Sequence, residues 1–450
     1  MNQPHSLPSE VEAETWSTWD RVHRVDDVRT VRPRTMEELT ETVVAARDAG
    51  LGLRPAGSGH SFNELASPRD VRLDLTELTG LLEVNRGTNQ ARFLAGTTLI
   101  RAAKILEGEG LAFSNLPDVL HQTVAGAIST ATHGTGTGYA SLSGQVCALT
   151  LVTADGEFLE CSPAQNREVF QAARAGLGVI GVIAAVTFQC EPSFRLHSAE
   201  FKEPVDQLVD ALGERTASAD HFEFFWSPSN GSAHSHILTR LHRLPDEWSK
   251  PGSKVAQTVR RMDDTVLRRG LPLGLNRLAG WAPKAVPGLN RLDTLAASSR
   301  RFTDLSYKVF ASARPVKFVQ TEWGVPIEDL PGTFKDVRKL LERTTPHLGL
   351  PLAVRCAAPE EAWMSPAHGR YTGWISVRQF WRNWSPEVFD ELQSVFMAHE
   401  ARPHWGTRHT LDAQDLAPKY THWEDFLRIR EHLDPDGVFL TDPVRRLLGI

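Results

Sequence analysis

Two stretches of this sequence can grip a phosphate group with backbone alone. The first is Arg54-Pro55-Ala56-Gly57-Ser58-Gly59-His60-Ser61. The second is Thr123-Val124-Ala125-Gly126-Ala127-Ile128-Ser129-Thr130-Ala131-Thr132-His133-Gly134-Thr135-Gly136. Glycine permits positive φ and close approach of a ligand to the main chain. Successive N–H groups in such turns form a concavity that suits an anionic pyrophosphate. The pair reads as two cradles for one flavin dinucleotide, FAD. His60, at the exit of the first loop, is placed for its ring to meet the isoalloxazine edge. Singly, each loop is ordinary: a Gly-x-Gly turn usually just ends a strand, and a Thr/Gly-rich run is usually a turn or linker. Their occurrence together, within alternating strands and helices, is what points to a cofactor.

The elements around the loops follow from local pattern. Asp26 to Val31 reads as a strand. Thr35-Met36-Glu37-Glu38 is a capping-box pattern that opens a helix with Leu39, Val43, Val44 and Ala46 on one face. That helix stops at Gly50, and Leu51 to Arg54 runs as a strand into the first loop. The Gly-x-Gly-x-x-Gly spacing of a Rossmann dinucleotide fold is absent. Val71 to Leu75 is a further strand, and Leu81 to Val84 with Ala91 to Ala95 a hairpin. Thr97 or Thr98 caps a helix from about Leu99 to Leu106. The second loop follows. Val146 to Thr153 and Glu157 to Cys161 flank Ala154-Asp155-Gly156 as a second hairpin. Glu168 to Arg174 is helical. Val179 to Cys190 has the apolar run of a buried strand, with Ile180 and Val182 expected to lie along a flavin.

After Phe194 the pattern changes. His221 to Trp226, His234 to Arg240, Lys317 to Val325 and Trp374 to Phe380 read as strands, and Leu330 to Thr344 and Pro386 to Ala401 as helices. Arg240 to Arg301 is rich in Arg and Lys with Val255, Val259, Met262, Val266 and Leu267 between, a basic amphipathic helix read as a solvated face over a core.

A length of 450 residues implies two domains or more. Hydrophobic content of 41% and charge of 23% are those of a globular chain and argue against wholesale disorder. A net charge of −6 argues against a general nucleic-acid binder. Cys147, Cys161, Cys190 and Cys356 lack metal-ligand spacing and read as isolated buried thiols, so neither a metal site nor a disulfide framework is expected. Met1 to Asp20 has no apolar core of a signal peptide, and the longest apolar run, Gly176 to Cys190, is too short to span a bilayer. No membrane association is expected, and the cytoplasm is the expected compartment.

Arg54 to Leu65, Gly110 to Gly138 and Val146 to Cys190 resemble the FAD-linked oxidases that carry a p-cresol-methylhydroxylase-type flavin domain. Within that group the sequence is most similar to the aldonolactone oxidases, which act on L-gulono-1,4-lactone and D-arabinono-1,4-lactone, and next to the alditol oxidases. Glu322-Trp323-Gly324-Val325-Pro326, Trp363 to Arg370, Arg402-Pro403-His404-Trp405-Gly406 and Leu433 to Leu440 match further family blocks, so the likeness covers nearly the whole chain. The resemblance implies an α+β protein: a FAD-binding domain over residues 1–192, a cap domain over 193–400 built on an antiparallel sheet flanked by helices, and a segment over 401–450 that returns to the flavin side.

It also implies that His60 carries FAD covalently through the flavin 8α-methyl, and that His133 packs beside the flavin. The implied chemistry is oxidation of an alcohol carbon of a carbohydrate-like or other hydroxylated small molecule. Hydride passes to flavin N5, and dioxygen reoxidises the flavin to give hydrogen peroxide. A dehydrogenase with another electron acceptor, or a flavin-binding protein without turnover, are the alternatives. On the substrate side the chain departs from the pattern. The family commonly has Glu-x-Arg where this chain has Ala353-Val354-Arg355, and a lysine where this chain has Thr407. Arg378 stands near a position where a histidine is frequent. Arg355, Arg378 and Arg408 are expected to give a guanidinium-rich lining suited to an acidic or polyhydroxylated ligand; for Arg378 and Arg408 the alternative is a surface charge. Thr123 matches a Ser/Thr position able to touch both flavin and substrate, with a structural threonine as the alternative. His404, in its matching block, completes the set of candidate catalytic residues: Arg355, Arg378, Thr123 and His404.

Overall fold

A computed structural model describes residues 12–228, 230–241, 299–311, 317–344, 350–382 and 384–450. The basic amphipathic helix expected between Arg240 and Arg301 lies almost wholly outside the described residues. The rest is α+β, as expected, and three main sheets carry it.

The first sheet holds the first loop. Its strand order is Glu12–Ser17, Arg24–Val31, Val71–Asp74, Leu53–Ala56, parallel except for the first pair. The helix Met36–Asp48 makes the crossover between Arg24–Val31 and Leu53–Ala56. Thr35 caps it by accepting from the Glu38 N–H at 3.1 Å, while the Glu38 carboxylate accepts from the Arg34 N–H. The capping box is thus displaced by one residue at its return arm. Leu39, Val43, Ala45 and Ala46 form the buried face. Gly50 ends the turn at φ +66°, a conformation that favours glycine after a helix.

The second sheet runs Leu81–Asn85, Gln90–Leu94, Val182–Gln189, Val146–Val152, Phe158–Cys161, antiparallel throughout. Both expected hairpins are present. Val182–Gln189 is its central strand, covered on both faces, which is why its sequence reads as a continuous apolar run rather than alternating.

The third sheet has eight antiparallel strands: Arg300–Leu305, Arg195–Pro204, Ser232–Leu241, His221–Trp226, Leu352–Ala357, Thr372–Phe380, Phe318–Pro326 and Arg402–Pro403. Helices Leu330–Thr344 and Pro386–Met397 pack on it, burying Phe334, Leu341, Leu392 and Phe396 among others. The long strand Arg195–Pro204 and the central Leu352–Ala357 escaped sequence reading, because each is recognisable only by its partners.

The C-terminal residues tie the sheets together. Arg402–Pro403 pairs with the strand Phe318–Pro326 of the eight-stranded sheet. The Phe62 N–H then donates to the Gly406 carbonyl, and Asn63 Nδ2 to the carbonyls of Trp405 and Thr407. The Leu53 N–H donates to the Val438 carbonyl. Asp434, buried, accepts from the N–H groups of Val438 and Phe439 and so shapes that turn. The cysteines are all free thiols. Among the described residues no helix is long and apolar enough to cross a membrane.

Candidate active site

A cavity of about 450 Å³ opens between the first sheet, the second loop and the inner face of the eight-stranded sheet. Its floor is the first loop. Arg54 enters that loop buried and donates to the carbonyls of Leu177, Gly178 and Phe439, so one side chain ties two distant segments to the loop. Gly59 turns at φ +69°. The amides of Ser58, Gly59, His60 and Ser61 donate to no acceptor among the described residues, although all four residues border the cavity. Four successive N–H groups without a protein partner are what an anionic ligand needs, and such groups are rarely left unpaired. The second loop touches the first directly. A β-carbon on Gly57 would sit 2.3 Å from Thr123 Oγ1. Thr123 is itself the N-cap of Val124–Ser129, accepting from the Gly126 N–H.

His60 projects from the floor and lies against Trp19, ring centroids 5.8 Å apart and nearly parallel at 28°. Burial, with a lesser contribution from His121, lowers its pKa to about 4, so the ring is neutral at physiological pH. Trp19 in turn packs on Phe62 and Phe318.

The roof is built by register. His236 lies directly opposite Glu223, and Arg355 opposite Trp374, on neighbouring strands. Ser376 faces Glu322, and Arg378 faces Gln320. Side chains at directly paired positions share a face, so these residues form polar rows across the sheet. His236 Nε2 is hydrogen-bonded to Ser198 Oγ at 2.9 Å and its Nδ1 to Glu223 at 3.0 Å. Arg355 Nε donates to Glu223 at 2.7 Å and its Nη2 to Asp118 at 2.8 Å. Arg378 Nε donates to Gln320 at 2.9 Å, and its Nη2 stands 3.6 Å from Asp118. Burial opposes the charge on Glu223, but Arg355 and His236 outweigh it and hold the carboxyl at about 2. Burial likewise opposes the charge on Arg355; Asp118 and Glu223 overcome it and raise the guanidinium further. Arg355 Nη1 donates to no protein group among the described residues, and the residue borders the cavity.

Beside this row sit His133, Glu322 and His404, whose ring nitrogens and carboxylate lie within 4.8 Å of one another. Most of their atoms are already committed, although His133 Nε2 has no hydrogen-bond partner among the described residues. Glu322 accepts from Ser376 Oγ and from Gln320 Nε2. His404 Nδ1 accepts from the Gly406 N–H at 3.1 Å, which leaves the ring proton on Nε2 and no lone pair there for a cation. His133 Nδ1 is hydrogen-bonded to the Gly134 carbonyl, its Nε2 lies 3.7 Å from Glu322, and its ring stacks on Trp374 at 3.9 Å. Burial alone would raise the Glu322 carboxyl; His133, then His404 and Arg355, pull it well below the usual carboxylate range. Burial lowers His404 to about 4 despite Glu322. Thr407 Oγ1 donates to the His404 carbonyl and accepts from the Glu322 N–H, so it serves the backbone rather than the cavity chemistry.

The cavity brings together most residues singled out from sequence: Pro55, Ala56, Gly57, Ser58, Gly59, His60, Ser61, Thr123, Gly126, Thr130, Thr132, His133, Arg355, Arg378 and His404. Four do not border it. A β-carbon on Gly134 would meet Asn115 and the Leu116 carbonyl, and one on Gly136 the Asp220 carbonyl, so both glycines serve close packing. Ile180 and Val182 are buried in the core; Leu177, Gly178, Gly181 and Ile183 take the cavity side instead. Within the strand Val182–Gln189 successive residues point to opposite faces, so Ile183 and not Val182 meets the cavity, while Ile180 precedes the strand and packs into the core. Arg408 also stays outside, contacting His23 and lying over Trp384. Sequence reading missed Trp19, Asp118, Gln320 and Glu322 as wall residues. Only Glu322 carried a signal, its matching Glu-Trp-Gly-Val-Pro block.

The chemistry of the donor set fits FAD: an amide nest for the pyrophosphate, an apolar wall of Trp19, Phe62 and Phe318, and polar groups opposite. Residues 29–162 match the family model of the FAD binding domain, and residues 186–447 match the model of D-arabinono-1,4-lactone oxidase. L-gulono-1,4-lactone dehydrogenase of Mycobacterium tuberculosis is 35% identical, over 96% of this chain and 99% of its own length. L-gulonolactone oxidase of Bos taurus is 29% identical, over 94% and 96%. Alditol oxidase of a Streptomyces species is 29% identical, over 93% and 95%. The crystal structure of cholesterol oxidase from B. sterolicum superposes with a TM-score of 0.79 at 16% identity, over 100% of this chain and 99% of that one, a likeness of fold.

Two outcomes follow from this geometry. Gly57→Val must push the loops apart, so the purified variant is expected to hold less than a tenth of the wild-type flavin, read by absorbance per protein. Pairing it with Thr123→Ala should restore part of the flavin; equal content in G57V and wild type would show that the loops do not need their contact. The second outcome concerns acid. An unfolded histidine takes up a proton near 6.5, whereas His404 and His221, lowered by burial to about 4, refuse it when folded. Stability is therefore full above pH 7 and is lost as pH falls from 6.5 toward 4, by about 2 kcal/mol per histidine at pH 5. Urea denaturation at pH 7 and pH 5 measures this, and His221→Phe should flatten the profile.

Proposed function

The chain belongs to the D-arabinono-1,4-lactone oxidase family, and from that premise we propose that it oxidises a hydroxyl-bearing carbon of a carbohydrate-like small molecule, an aldonolactone or a polyol, using FAD. One observation carries this reading. Four backbone amides without a protein partner among the described residues and a guanidinium fixed by two carboxylates line one cavity, together with His60 and the aromatic side chains Trp19, Phe62 and Phe318. Bound FAD supplies the acceptor for the hydride that leaves the substrate carbon. The amides of Ser58 to Ser61 hold its anionic part. Arg355, fixed at Nε and Nη2, directs Nη1 at the substrate hydroxyl and stabilises negative charge developing on that oxygen. It cannot take the hydroxyl proton itself, because its carboxylate partners keep it ionised. Thr123 stands at the contact of the two loops, where it reaches cofactor and substrate alike.

His60 carries the cofactor covalently in this proposal. A neutral imidazole is a nucleophile, and the low pKa set by burial keeps the ring neutral. Acid precipitation tests the bond: wild-type FAD should stay with the pellet, and FAD of His60→Ala should enter the supernatant. FAD released from both proteins would show that no bond exists.

Dioxygen is the proposed electron acceptor, with hydrogen peroxide as product. The dehydrogenase relative at 35% identity supports a second reading, in which another acceptor takes the electrons. Free thiols and no disulfide among the described residues accord with work in the cytoplasm. The test is an anaerobic screen of lactones, alditols and hydroxylated acids followed by air. Bleaching of the flavin by a lactone or polyol is expected, with one peroxide per turnover. Bleaching without peroxide selects the dehydrogenase. No bleaching by any compound leaves a binding protein and ends the enzymatic reading.

A further inference from the structure

Two arginines at a cavity wall suit an acidic or a polyhydroxylated ligand, and that expectation follows from the sequence. The structure separates the two classes through a residue that sequence reading passed over. Asp118 lies on the segment between the helix Leu99–Gly108 and the second loop, whereas Arg355 and Arg378 come from the eight-stranded sheet. Its carboxylate accepts from Arg355 Nη2 at 2.8 Å and stands 3.6 Å from Arg378 Nη2. The other carboxylate on Arg355, Glu223, is absent from the cavity wall, whereas Asp118 is on it. Glu322, the remaining acidic residue of the wall among the described residues, is occupied by Ser376, Gln320 and His133.

We propose that Asp118 is a specificity-determining residue: its charge, set between two guanidinium groups at the cavity wall, makes the site take neutral polyhydroxylated ligands and reject the corresponding hydroxy-acid anions. The inference rests on the reading that this cavity binds lactones or polyols. A hydroxyl is both donor and acceptor, so it is satisfied by a carboxylate and a guanidinium side by side. A ligand carboxylate arriving at the same arginines meets like charge on Asp118, and rejection by a built-in repulsive group is a recognised route to specificity. An aldonolactone and its hydrolysis product differ in just this respect, since ring opening creates a carboxylate.

The test uses the flavin-loaded protein and reads perturbation of the flavin absorbance, not turnover. L-gulono-1,4-lactone and the sodium salt of L-gulonate form a matched pair. Wild type is expected to bind the lactone at least ten-fold more tightly than the acid. Asp118→Asn, close in shape and without charge, is expected to bind the acid at least ten-fold more tightly than wild type does, and the lactone less tightly. An acid affinity that D118N leaves unmoved overturns the proposal, and so does a wild type that prefers the acid, a result available even if the variant does not fold. The two readings fail separately. Failure of every lactone and polyol to perturb or bleach the wild-type flavin removes the proposed function, while the acid titration of D118N still decides the role of Asp118.

Discussion

Buried charge is the constraint around which this protein is arranged. Arg355, Arg378 and Glu322 are almost wholly removed from water, and Glu223 is largely so. An isolated buried ion is costly by several kcal/mol, and removing one partner of a buried pair typically costs about 3–5 kcal/mol. Each of these groups therefore requires its partner in place. Arg355 needs Glu223 from a neighbouring strand and Asp118 from the segment before the second loop. The same pairs that make burial tolerable fix the guanidinium in one orientation. The contacts that position the site are thus also the contacts that join the Asp118 segment to the eight-stranded sheet.

The flavin side obeys a different rule. There the groups at stake are neutral backbone amides, and the solution is to leave them open on the cavity while securing everything around them. Arg54 spends its donors on three carbonyls, and the C-terminal turn beyond Asp434 supplies one of them. Gly57 yields its side-chain space to Thr123. The loop is held rigidly from behind and presents an unpaired face in front. Preorganised dipoles of this kind need no reorientation when an anion arrives.

His133, Glu322 and His404 show how local hydrogen bonds decide between chemistries. Two imidazoles and a carboxylate within reach of one another have the composition of a cation site. The Gly406 amide on His404 Nδ1 fixes that ring's tautomer, and Ser376 and Gln320 fill the carboxylate. The cluster becomes a buried polar network beside the indole of Trp374. Thr407 belongs to the same backbone lattice, and the wall draws its positive charge from Arg355 and Arg378.

Much was legible in the sequence because it is local. The Gly-rich loops, the Thr35 cap, both hairpins and the helix Leu330–Thr344 follow from residue types a few positions apart, and residues of both loops meet at one cavity. The family blocks brought in Arg355, Arg378 and His404 as well. What the sequence could not settle is which face of a strand meets the cavity and which distant side chain completes an ion pair. Ile180 and Val182 pack into the core rather than along the cavity, and Gly134 and Gly136 serve packing. Asp118 and Glu223 acquire meaning only beside Arg355, more than a hundred residues away, and Trp19 only beside His60. Local propensity specifies a turn or a helix by itself; the partner of a buried charge is chosen by strand order and register, which exist only once the sheets have formed.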